Sequence, residues 1–436
     1  MLAMNLAAPA SAQTGPVEAE DSAAPDRYNL HGQFTSVTQW HGPFNSPYQG
    51  PNSLQPHEPR METVDLTLYL GLRLWKGAEF YVNPEIDQGF GLSSTLGMAG
   101  FSSGESYKLG NWTPYYKTQR AFLRQTLDLE GPTVEVEDGP NQLAGRRGEQ
   151  SLTLTAGKFS IVDIFDTNPY AHDPKSDFLN WSIIDAGAFD YGGDAWGFTY
   201  GTAAEWTMKD WTLRGGFFAL STEPGSVKID SSFAQNSVVL EAERRYQWQG
   251  QPGALKVLWF IDRGRMGRFD QATALSQATG APASAAAVRE FQSKTGYVLN
   301  LAQALGEHGG LFARWSQNDG KTESFDFTDI NTSLSVGGTL DGTAWGRCND
   351  RVGLAGVVNG LSSQAKAYFA AGGTGLLIGD GQLPNYGSEK IIEAYYSAQL
   401  APHLSASLNF QRVQNPAYNR DRGPVSIYGV RIHADF

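Results

Sequence analysis

Between Val64 and Leu74 every second residue is aliphatic. Val64, Leu66, Leu68, Leu70, Leu72 and Leu74 alternate with Asp65, Thr67, Tyr69, Gly71 and Arg73. Successive side chains on an extended strand point to opposite faces, so this run carries an unbroken aliphatic wall on one face and polar groups on the other. A helix would scatter the same leucines around its circumference.

The pattern recurs along the chain. After the turn Lys76-Gly77, Phe80, Val82 and Ile86 interleave with Glu79, Tyr81, Asn83, Glu85 and Asp87, which predicts a β-hairpin. Pro84 removes a ladder donor inside that second strand and predicts a bulge or an early strand end. Ala121, Leu123, Leu127 and Leu129 alternate with Arg120, Phe122, Arg124, Thr126 and Asp128. Val238, Leu240, Ala242, Tyr246 and Trp248 alternate with Val239, Glu241, Glu243, Arg245 and Gln247. About 16 such strands can be counted, an even number of the kind that closes bacterial single-chain barrels.

The connections alternate short and long. Long ones are expected at 160–194 and, among others, at 41–61, 88–116, 264–294 and 360–387. The fold class is therefore all-β, a transmembrane antiparallel β-barrel with short periplasmic turns and long extracellular loops. Closure also satisfies every backbone N–H and C=O, as hydrocarbon demands. Both termini are expected on the periplasmic side. The final strand, Tyr428 to Phe436, alternates in the same way, and its terminal aromatic resembles the assembly signal of bacterial outer-membrane proteins. A soluble propeller would repeat about every 40–50 residues with a blade signature, and no such repeat is present.

Composition narrows the alternatives. Charged residues make up 18% of the chain and hydrophobic ones 41%, and no stretch approaches the roughly 20 apolar residues of a membrane helix. A net charge of −12 speaks against nucleic acid as a partner. The single cysteine, Cys348, excludes an internal disulfide and a thiolate metal cluster. Residues 1–12 read as the remnant of a secretory signal, with Ala10-Ser11-Ala12 as its small-x-small cleavage pattern. Residues 13–26 read as a disordered lead-in rich in Pro, Ala, Glu and Asp, and residues 27–436 as a single barrel.

Gly157-Lys158-Phe159 is followed by Asp163, Phe165-Asp166, Asn168, Tyr170, Asp173-Pro174 and Phe178-Leu179-Asn180. This series resembles the carbohydrate-selective porin family. So do Trp345-Gly346-Arg347, the stretch from Leu361 to Gly375, and the tail from Glu393 with Tyr395-Tyr396, Pro402, Gln411 and Asn415-Pro416. The resemblance spans the chain from about the first strand to the last residue. It implies an outer-membrane porin with a narrowed, charged channel for monosaccharides and similar small polar solutes. It leaves the sugar and the oligomeric state, homotrimer or monomer, open. The turn from Gly131 to Glu149 departs from the pattern, being long for a periplasmic connection.

A diffusion pore needs neither nucleophile nor cofactor, and its selectivity lives in width, charge and hydrogen-bonding groups. Carboxylates and guanidinium groups can bind sugar hydroxyls, while aromatic rings pack on the C–H faces. Strand parity puts Arg73, Glu79, Tyr81, Glu85, Arg120 and Arg124 on the lumen side, and Glu241, Glu243, Arg245, Lys256 and Asp262 on a second wall. The 160–194 segment is the candidate constriction loop, with Asp163, Asp166 and Trp181 as candidate solute contacts. Its aspartates could instead take calcium, although their spacing matches no known loop. The rival functions are a general diffusion porin without a sugar site, a barrel hydrolase and an energised transporter. The hydrolase lacks a nucleophile-elbow pattern, and the transporter lacks a separate N-terminal plug domain.

Overall fold

The computed structural model describes residues 26–106, 110–326 and 329–436. The expected signal remnant at 1–12 lies outside the described residues, as does the lead-in up to residue 25. The first half of the chain supplies β1 (Tyr28–His41), β2 (Met61–Trp75), β3 (Ala78–Gly89), β4 (Asn111–Asp128), a small hairpin of β5 (Thr133–Val136) and β6 (Gly145–Gly148), β7 (Ser151–Phe159), β8 (Thr199–Thr207) and β9 (Trp211–Ala219). The second half supplies β10 (Asn236–Trp248), β11 (Gln251–Gly267), β12 (Arg289–Ala304), β13 (Gly309–Asn318), β14 (Thr332–Gly342), β15 (Arg347–Gly360), β16 (Glu389–Ala401), β17 (Leu404–Gln414) and β18 (Val425–Asp435).

Among the described residues, sixteen strands, all but β5 and β6, pair antiparallel with their neighbours and close into a barrel. The ring is sealed where β1 meets β18, with Phe34 opposite Ala434 and Val37 opposite Arg431. Phe436 N–H and C=O exchange hydrogen bonds with Gly32 at 2.9 and 2.7 Å. Its ring lies where a Cβ on Gly32 would come within 2.3 Å, so only glycine leaves room there.

Burial follows the two-residue period. On β2, Leu66, Leu68, Leu70, Leu72 and Leu74 are exposed on the outer wall, whereas Asp65, Thr67 and Tyr69 are buried inside. Apolar side chains outside and polar ones inside are what a lipid-embedded barrel requires. Among the described residues, no helix is long and apolar enough to cross a membrane. The bulge expected at Pro84 is present as a register shift between Asn83 and Pro84 against β4, where Gln119 is the extra residue.

The connections at one end are 76–77, 208–210, 249–250, 305–308, 343–346 and 402–403, together with the longer 129–150. Those at the other end run 42–60, 90–110, 160–198, 220–235, 268–288, 319–331, 361–388 and 415–424. Several boundaries differ from expectation: β4 begins at Asn111 rather than near residue 116, β8 begins at Thr199, beyond the expected loop end at residue 194, β11 runs on to Gly267 rather than ending near residue 264, and β12 begins at Arg289 rather than near residue 294. Three of the outer loops are knitted together. Tyr48 Oη donates to Asp421 at 2.8 Å, Asn419 Nδ2 donates to Asp380 at 3.0 Å, and Arg422 pairs with Asp380 at 3.4 Å. Burial, then the Asp421 bond, pushes the Tyr48 phenol up to about 12, so it stays a donor.

Candidate functional site

The interior is built around the connection from β7 to β8. Its first turn is set by sequence: Ser160 and Asp163 form a capping box, with Ser160 N–H donating to Asp163 at 3.0 Å. Further on, Asn180 caps the short helix α1 (Trp181–Ile184) by accepting from Ser182 N–H at 3.1 Å.

From there inward-facing side chains of many strands take hold of the segment. On β13, Arg314 donates to the Asp166 carboxylate at 3.2 Å, the Asp166 carbonyl at 3.0 Å and the Ile183 carbonyl at 3.0 Å. Asn300 on β12 donates to Asp166 at 2.6 Å, and Glu241 on β10 accepts from Asp166 N–H at 2.8 Å. Lys256 on β11 donates to the Thr167 carbonyl at 2.6 Å. Across the ring, Glu393 on β16 accepts from the N–H groups of Leu179 and Asn180 at 2.6 and 2.9 Å. Arg431 on β18 donates to the carbonyls of Pro174, Ser176 and Asp177 at 2.6 to 2.9 Å. Lys175 reaches Asp65 on β2 at 2.6 Å. A segment bonded to inward residues on opposite sides of a closed barrel lies within it.

Apolar packing repeats the result. Phe165, Phe178, Phe189 and Tyr191 are buried in one cluster with the inward rings Tyr81, Phe122, Phe218, Phe260 and Phe312. The wall is hollowed where the loop presses hardest: a Cβ at Gly310 would fall 2.0 Å from the Tyr170 ring. A second outer connection enters beside it. Ser102 C=O accepts from Gln39 and Gln411 at 3.0 and 2.7 Å, and Phe101 stacks on Trp181 at 5.1 Å.

Arg73, Glu79, Tyr81, Glu85, Arg120 and Arg124 all point inward, as their parity predicts. Arg120 forms a two-pronged pair with Asp163 at 2.5 and 2.7 Å, and the two side chains keep 20% and 27% of their surface open. Arg73 pairs with Glu79 at 3.1 Å, with both groups partly open. Arg124 donates to the Asn141 carbonyl at 2.8 Å.

Four candidates are enclosed by their surroundings. Asp166 is fully buried among Arg314, Asn300 and backbone donors. Trp181 is 7% exposed because Phe101 covers its face. Glu85 is buried and accepts from Thr67 and Gln119 at 2.5 and 2.9 Å. Tyr81 is buried, donates to Glu79 and accepts from Leu143 N–H. These four side chains are buried in the packing of wall and loop. The loop aspartates also diverge: Asp163 goes to Arg120, Asp166 to Arg314, and Asp177 to Arg351 at 3.3 Å.

The charges of the second wall pair locally. Arg214 contacts Glu205, Glu241 and Glu243 at 2.7 to 2.9 Å, and Arg245 contacts Glu243 at 3.2 Å. Arg351 is a further inward guanidinium that sequence reasoning passed over. Its side chain is 38% open, and its only signal was membership of the inward row Arg351, Gly353, Ala355, Val357 and Asn359.

Comparison with known proteins places this architecture. Residues 52–436 match the family model for the carbohydrate-selective porins of the OprB family. The porin AaxA of Chlamydia abortus is 21% identical over 361 residues, covering 81% of this chain and 70% of that protein. The high-pH structure of OprB from Pseudomonas putida superposes with a TM-score of 0.70 at 16% identity, covering 94% of each chain. The outer-membrane channel DcaP of Acinetobacter baumannii gives 0.52 at 11% identity, covering 96% of this chain and 99% of that one. A closed sixteen-stranded barrel with an apolar exterior and a polar, loop-filled interior, matched by that family over most of its length, belongs to the carbohydrate-selective porin family of the outer membrane.

Proposed function

We propose that this porin passes monosaccharide-sized solutes through a constriction formed by the 160–194 segment, with the Arg120–Asp163 and Arg351–Asp177 pairs at its edge. What carries the reading is that both pairs join a strand to the loop while the Arg120–Asp163 pair and the Arg351 guanidinium remain partly open. A paired guanidinium and carboxylate offer a sugar hydroxyl both donors and acceptors. Because the charges compensate, they favour a neutral polar solute over either sign of ion. The Phe198 ring, 4.9 Å from the Arg120 guanidinium, supplies an apolar surface beside them for a sugar's C–H face.

Planar-bilayer recording with a panel of sugars tests this. Current block graded by sugar type, at sub-millimolar to millimolar concentration, is the expected result. Equal block by sugars and by zwitterions of the same size would favour a general diffusion pore.

A further inference from the structure

The connection between β4 and β7 leaves the barrel at the end where the other turns are short, yet it spans residues 129–150. Instead of hanging in the periplasm, it turns back into the lumen. Its base is the hairpin of β5 and β6, in which Thr133 pairs with Gly148 and Val136 with Gly145. Its tip is a tight turn in which Gly139 and Gln142 exchange backbone hydrogen bonds at 3.0 Å each. Pro140 and Asn141 stand at the apex, and Asn141 has a φ of 56°.

Inward side chains of four consecutive strands hold this tip. Asn29 on β1 donates to Asp138 at 2.7 Å and to the Gln142 carbonyl at 2.8 Å. Arg73 on β2 donates to the Ala144 carbonyl at 3.0 Å. On β3, Asn83 and Asn141 exchange reciprocal amide bonds at 2.8 and 3.1 Å, and Tyr81 Oη accepts from Leu143 N–H at 3.1 Å. Arg124 on β4 donates to the Asn141 carbonyl at 2.8 Å. Leu143 is buried in the same apolar cluster as Tyr81 and Phe122.

Depth follows from the register. Asn83 lies five residues beyond Ala78, where β3 leaves the 76–77 turn. At ~3.3 Å per residue and a strand tilt of about 40°, the tip therefore stands roughly 12 Å inside, near half the height of a ~25 Å apolar band.

We propose that the 129–150 connection is a second constriction, entered from the periplasmic side, and that its tip, residues 139–143, is a specificity-determining element for permeating sugars. The proposal rests on the reading of the chain as a sugar-conducting pore. It assigns three of the inward residues, Arg73, Tyr81 and Arg124, to holding this tip. Below the outer constriction, the tip crowds the β1–β4 side and leaves the solute the wall carrying Glu205, Arg245 and Arg351, whose side chains stay partly open.

The experiment compares three proteins in planar bilayers: the native chain, a variant with residues 132–147 replaced by a short Gly-Asn turn, and Pro140→Cys in a Cys348→Ser background. The expected result is a rise of roughly twofold or more in single-channel conductance for the shortened variant, with weaker discrimination among sugars. For Pro140→Cys, a bulky methanethiosulfonate reagent added on the periplasmic side should cut the current. Heat-modifiable gel mobility identifies a shortened barrel that has not folded, and the cysteine variant then decides alone. Unchanged current after modification, or unchanged conductance in a folded shortened barrel, overturns the second constriction while leaving a conducting pore. Absence of sugar block in the native chain would overturn the underlying sugar reading instead.

Discussion

Arg120 on β4 and Asp163 at the start of the inner loop form a bidentate pair, 2.5 and 2.7 Å long, across the boundary between barrel wall and lumen filling. Because both ends stay partly open, its effect on permeation should exceed its effect on stability. Asp163→Asn leaves the guanidinium uncompensated, so the permeability ratio should shift toward anions. Reversal potentials in a KCl gradient read this directly, and a shift toward cations would contradict the placement of Arg120 at the pore edge.

Deleting residues 164–177 should raise single-channel conductance, because that stretch carries the contacts of Asp166, Thr167 and Lys175 with the walls. Equal or lower conductance in a folded barrel would remove the loop from the solute path.

Arg314 and Asp166 are both buried, so removing one partner strands the other. Arg314→Leu should weaken the anchoring of the loop by about 3–5 kcal/mol. The interstrand ladder does not pass through this pair. The barrel should therefore remain heat-modifiable, while the 160–194 segment becomes cleavable by protease and the open-channel current grows noisier. A quiet, protease-resistant variant would show that the remaining anchors suffice.

Leu68 stands on the outer wall of β2, midway along its aliphatic row. Leu68→Arg should cost about 2–4 kcal/mol in folding into lipid, the range for a basic residue at the midplane. Urea titration in liposomes measures this. A change below 1 kcal/mol would put that face against something other than hydrocarbon, such as another protein chain.

The architecture was legible because period two fixes faces without needing register. The leucines of β2 and the charges of β3 and β4 fall on the sides their parity dictates. The Pro84 bulge was legible because a missing donor is a local fact. Filling of the lumen was not. Whether Trp181 faces a solute or Phe101 depends on a second loop, residues 90–106, which arrives from elsewhere in the chain. Arg314, Glu393 and Arg431 read as ordinary inward residues, since a row of alternating polar groups carries no sign of which one will grip a backbone. The 129–150 turn announced itself only by length, and length alone does not say which way a turn bends.

The inner loop is tied to β10 through β13 on one side and to β16, β18, β2 and β4 on the other. A hollow tube resists flattening only through the stiffness of its wall, whereas a tube with struts across its bore resists through the struts. Under changing lateral pressure from the bilayer, this barrel should keep a rounder cross-section than an unbraced one of the same strand number.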